Sequence, residues 1–113
     1  MSTRSDVFLA LQAGLASRLP SEYRTILLAN YKAEELTDDQ GVAFVMGNVV
    51  WDAEDDFVRA LNAWLNTRDP EQFILIEVCP SHPSHDSGDR GGWTDNPWNA
   101  QRVLTAELAY DAG

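Results

Sequence analysis

The chain has 113 residues, 44% of them hydrophobic and 10% aromatic, with a single cysteine and a formal net charge of −10. That length and apolar content support one domain with a packed core rather than a disordered segment. No apolar run approaches the roughly 20 residues of a membrane span. Eighteen acids against eight bases oppose direct binding to nucleic acid or to an anionic membrane. One cysteine cannot close an internal disulfide, and it suits a reducing cytoplasm, the compartment expected here.

From the N-terminus, Val7, Phe8, Leu11, Leu15 and Leu19 recur at helical spacing, which predicts a first helix from Ser5 to Leu19. Gln12 and Arg18 interrupt this segment, so it does not read as a secretory leader. After the break at Leu19-Pro20, Ser21 can cap a second helix carrying Tyr23, Ile26, Leu27, Tyr31 and Leu36 inward, although Ile26-Leu27-Leu28 also suits a strand. Thr37 to Gly41 is a turn by composition.

The best-defined unit runs from Gly41 to Val78 and reads strand, helix, strand. Gly41–Trp51 is apolar and β-branched, with Gly47-Asn48 as a hairpin signal or a bulge. In 52–66, Phe57, Val58, Leu61, Trp64 and Leu65 form one helical stripe. Asp52 is placed to cap it, with Glu54, Asp55 and Asp56 in the first turn favouring the helix dipole. Asp69-Pro70 stops it. Phe73–Val78 lacks alternation except at Glu77, as a strand covered on both faces would. The core is therefore expected around Phe57, Leu61, Trp64, Leu65, Phe73, Leu75 and Ile76.

A long loop follows at 79–99. Loops of that length in compact domains are often functional. From Arg102 to Tyr110 the alternation of Leu104, Ala106, Leu108 and Tyr110 predicts a strand antiparallel to Phe73–Val78, with a helix as the other option. The resulting fold class is α+β: two N-terminal helices, then a small, mainly antiparallel sheet of about three or four strands packed on an amphipathic helix 52–66. The whole of 1–113 forms the single domain.

Chemistry-bearing candidates are few. Cys79, His82 and His85 form a C-x2-H-x2-H run with zinc-type ligands. Structural zinc usually draws ligand pairs from two segments, and two prolines stiffen this one, so no metal and no cofactor is expected. Cys79 as a nucleophile needs a geometry that spacing alone does not supply, and a small buried residue is the commoner role at a strand end. The Gly88–Trp98 stretch lacks the Gly-Lys-Ser/Thr of a phosphate loop. Its Arg90, Trp93 and Trp98 are residue types enriched at interface hot spots, or they fold back as a lid over the sheet. Between Lys32 and Arg59 the acids Glu34, Glu35, Asp38, Asp39, Asp52, Glu54, Asp55 and Asp56 occur without a base.

These features favour a non-catalytic protein–protein interaction module over an enzyme. Its partner-binding set is Glu34, Glu35, Asp38, Asp39, Glu54, Asp55, Asp56, Arg90, Trp93 and Trp98. The expected partner is a larger basic protein, one that handles nucleic acid being an example. The chain would act on it as an inhibitor or modulator, by analogy with the acidic nucleic-acid mimics of phages and mobile elements. A structural assembly subunit, for example of a phage particle, is the alternative, and a small metal-dependent enzyme is third. Symmetric self-assembly into a homo-oligomer would favour the subunit over the interaction module.

Overall fold

A computed structural model describes residues 4–79, 89–103 and 107–111. Its framework is a five-stranded antiparallel sheet in the order β2-β3-β1-β4-β5. The strands are β1 (Arg4–Gln12), β2 (Glu34–Asp38), β3 (Gly41–Val50), β4 (Phe73–Val78) and β5 (Arg90–Gly91). Helices α1 (Ala13–Ala16) and α2 (Ser21–Ala29) lie between β1 and β2, and α3 (Asp56–Asn66) lies between β3 and β4. A separate hairpin pairs β6 (Gln101–Val103) with β7 (Glu107–Ala109).

The sheet buries both faces. On one, Val7, Leu9 and Leu11 of β1 join Phe44, Met46, Phe73 and Leu75 under Leu27 of α2 and Val58, Leu61 and Leu65 of α3. On the other, Phe8, Ala10, Ala43, Ile74, Ile76 and Val78 lie under Trp93, Trp98 and Ala100. The pleat explains the division, because successive side chains of a strand point to opposite faces.

The predicted order of elements is overturned. Among the described residues there are no two N-terminal helices ahead of the sheet: β1 comes first, the helices are spread between strands, and the sheet dominates. The helical spacing of Val7, Phe8 and Leu11 was part of a continuous apolar run, Val7-Phe-Leu-Ala-Leu11. A central strand covered on both faces shows the same run, and periodicity does not separate the two. Leu36, assigned to the second helix, sits in β2 and faces the opposite core from Leu27. The C-terminal segment is also not one strand alongside β4. It folds on itself as β6 and β7, while β5 takes the edge next to β4.

Smaller shifts have local causes. Helix α3 starts at Asp56, and its N-cap is Asp55, whose carboxylate accepts from the Phe57 backbone N–H at 3.0 Å. Asp52 closes the preceding turn by accepting from the Glu54 N–H at 2.9 Å. Gly47-Asn48 forms no hairpin. The register against β1 shifts there, with Ser5 opposite Val49 but Val7 opposite Met46, so β3 carries one extra residue as a bulge. Asn48 adopts φ 54°, a conformation asparagine tolerates, and its N–H donates to Asp6 Oδ1 at 2.9 Å. Of the expected core, Leu61, Leu65, Phe73 and Leu75 are buried in the helix-covered cluster, Phe57 and Trp64 pack at its margin, and Ile76 belongs to the other face.

Two substitutions measure these contacts. Leu61→Ala should cost about 2–5 kcal/mol in chemical denaturation, as large-to-small core changes do. At Gly41 an added methyl would meet the Leu11 carbonyl oxygen and lie 2.9 Å from the Trp93 ring. Gly41→Ala should therefore lower stability by about 1–3 kcal/mol by overpacking. An unchanged denaturation midpoint for either variant would contradict the packing described.

Candidate functional site

The expected interface tryptophans are in the core. Trp93 is 6% and Trp98 3% exposed. Their rings meet edge-to-face at 6.1 Å, and Trp98 also packs edge-on against Phe8 at 6.1 Å. Asn96, 2% exposed, holds the segment in place. Its Nδ2 donates to the Trp93 carbonyl at 3.0 Å, and its Oδ1 accepts from the N–H groups of Trp98 and Ala100 at 3.2 and 3.1 Å. Of the two roles open to these rings, the lid is the one the structure shows. Arg90 is spent on the fold too: it lies in β5 and donates to Asn66 Oδ1 at the end of α3.

Cys79 is buried just past β4. His82 and His85 lie outside the described residues, so the C-x2-H-x2-H run is placed only at its first member. Among the described residues no three His, Cys, Asp or Glu side chains gather as a metal site. No described helix is long and apolar enough to cross a membrane.

The acids fall into two groups. Glu34, Glu35 and Asp38 belong to β2, the outermost strand, and Asp39 sits in the turn that joins it to β3. Glu54, Asp55 and Asp56 stand at the start of α3. Tyr31, just before β2, reaches the second group: its ring packs on Trp51 at 5.4 Å and Phe57 at 5.5 Å, and its hydroxyl donates to Asp55 Oδ1 at 3.5 Å. These rings touch one another, so they make a packed support and leave no room for a cation between them.

Of the seven predicted acids, Glu35 has a basic partner among the described residues. Arg24 of α2 grips it with two bonds of 2.7 Å, Nε to Oε1 and Nη2 to Oε2. This hydrogen-bonded pairing holds the Arg24 guanidinium above its already high pKa. Glu34, Asp38, Asp39, Glu54, Asp55 and Asp56 are exposed. Asp38 and Asp55 also accept backbone N–H bonds, from Gln40 and Phe57. Six of the seven acids are therefore exposed without an ion pair among the described residues, although the Arg59 guanidinium donates to the Glu54 carbonyl at 3.1 Å beside the α3 group.

Beside β2, on the helix-covered side, lies a groove that residue types alone did not mark. Ala16, Leu19, Val42 and Phe44 line it with Thr37, and the Arg24–Glu35 pair forms one wall. The available signal was the alternation Glu34-Glu-Leu-Thr-Asp38, a short polar strand before a turn, which extending the second helix as far as Leu36 concealed. No family model matches the chain, nor does any curated protein or solved structure.

Two consequences can be measured. Losing the Asn96 amide would strand buried backbone groups of Trp93, Trp98 and Ala100. Asn96→Ala should thus lower stability by about 2–4 kcal/mol and raise the fluorescence accessibility of the tryptophans to a quencher. Tyr31 titrates above the ordinary tyrosine range, chiefly because burial disfavours phenolate and then because the Asp55 carboxylate is near. A raised folded-state pKa contributes stability that is present below about 10 and lost as pH rises through the folded value. Asp55→Asn, which retains the cap, should lower the Tyr31 midpoint in an NMR titration without restoring the unperturbed one, since burial persists.

Proposed function

We propose that the chain is a non-catalytic interaction protein that binds a larger, basic protein partner through the acidic margin formed by β2, its turn and the start of α3. The observation that carries this reading is the exposure of six acids there with no basic partner among the described residues. Exposed like charges held together by a fold cost it some self-repulsion, and a basic surface relieves it. Complementary fields of this kind raise association rates and select against wrong partners. A protein that handles nucleic acid carries such a basic surface, and occupying it would inhibit or modulate that protein. The chain would meet it in the cytoplasm.

The partner-binding set narrows to Glu34, Asp38, Asp39, Glu54, Asp55 and Asp56. Trp93, Trp98 and Arg90 support the fold, and Glu35 is neutralised by Arg24.

Affinity capture from the source cell, followed by binding kinetics, tests the proposal. Glu34→Lys, Asp39→Lys and Glu54→Lys together spare the turn and cap bonds of Asp38 and Asp55. The triple variant should fold normally and associate at least about tenfold more slowly in low salt, with a flatter salt dependence, because exposed charges are screened beyond about 10 Å near 0.1 M. Wild-type association kinetics for the triple variant would reduce the acidic margin to a solvated surface.

A further inference from the structure

We propose that β2 and the groove beside it take up an extended basic segment of the partner as an added, sixth strand. This rests on the interaction role proposed above and gives it a binding mode. In an antiparallel ladder every second residue turns its N–H and C=O away from its neighbour. β2 has β3 on one side and, among the described residues, no strand on the other. Natural edges are usually blunted by proline, a bulge, a covering element or charged side chains, and the acids of β2 leave its edge open to a basic strand rather than an acidic one. Glu34–Asp38 contains no proline, and its pairing with β3 runs without a register shift. The opposite edge, β5, is only two residues long.

Side-chain alternation specifies what an added strand would meet. Glu34, Leu36 and Asp38 share one face of β2, with Leu36 buried against the tryptophan-covered core. Glu35 and Thr37 share the other, facing the groove of about 310 Å³ lined by Ala16, Leu19, Val42 and Phe44. A segment laid along the edge thus sends alternate side chains toward this partly apolar groove and the others toward Glu34 and Asp38. Backbone bonds supply affinity and the groove and acids supply choice, the division of labour in strand-addition recognition. The matching occupant alternates apolar residues with lysine or arginine. A second copy of this chain fits worse, because antiparallel pairing of two β2 strands about Leu36 sets Glu34 of each copy against Asp38 of the other.

A short capped peptide alternating Lys and Val is the probe, with a Glu/Val peptide and an N-methylated Lys/Val peptide as controls. Amide hydrogen exchange and titration by NMR are the readouts. The Lys/Val peptide should bind and slow exchange of the outward-facing β2 amides. N-methylation, which removes N–H donors and keeps the charge, should weaken binding at least about tenfold, and Glu34→Lys, which leaves the Asp38 turn bond in place, should weaken it too. Equal affinity of the methylated peptide, or unchanged exchange along β2, would overturn strand addition while leaving charge-driven capture intact. Absence of Lys/Val binding would also overturn it, and the salt dependence of partner association would then judge the acidic margin separately. A concentration-dependent dimer in sedimentation that Thr37→Pro abolishes would assign the edge to a second copy and overturn the proposal.

Discussion

The structure depends on β1 having no solvent side. Val7 to Leu11 are all 0% exposed, with β3 and β4 hydrogen-bonded on either flank and a hydrophobic layer above and below. Five consecutive apolar residues satisfy four different sets of neighbours at once. Full burial of each large one is worth about 1.5–3 kcal/mol. The two layers differ in kind: helices α2 and α3 cover one face, while irregular chain organised by Asn96 and a short hairpin cover the other. Removing either layer would expose one side of the same strand.

This double coverage also decides what could be read from the residues. Helix α3 was legible because Phe57, Leu61, Trp64 and Leu65 form one apolar stripe opposite an exposed side of Asp56, Arg59, Ala63 and Asn66. β4 was legible because Phe73–Val78 is too short for a helix before the loop. β1 was not, because a strand buried on both sides loses its period-two signature, and Val7, Phe8, Leu11 and Leu15 then imitate a helix. The bulge at Gly47-Asn48 resembled a turn for a related reason: a residue at positive φ serves both. At the C-terminus, alternation marked extended chain, which Gln101–Val103 and Glu107–Ala109 adopt while Leu104 and Ala106 lie outside the described residues, but it carried no information on which strand it would meet.

The candidate site divides along the same line. The acids were visible as residue types, and their exposure follows from lying on an edge strand, a turn and a helix start. The roles of Arg90, Trp93 and Trp98 were not fixed by type, since large aromatic residues serve cores and interfaces alike. The groove along β2 arises because α1 and α2 stop short of covering the outer strand, a property of topology that no local pattern encodes. The Arg24–Glu35 bridge is part of the groove's lining.

The tryptophan-covered face joins β1 to residues some ninety positions later in the sequence. Phe8, in the first strand, meets Trp98 at 6.1 Å and Tyr110 at 5.5 Å. Contacts so distant in sequence require loop closure before they return any energy, and folds rich in them are slow to form. During synthesis the most apolar surface of β1 would emerge early and its cover would emerge late. Until then, the half-built sheet presents Phe8, Ala10, Ile74 and Ile76 to water, a surface that invites chaperone binding or self-association. The lid thus sets a kinetic hazard for the nascent chain as well as an energetic condition on the finished one.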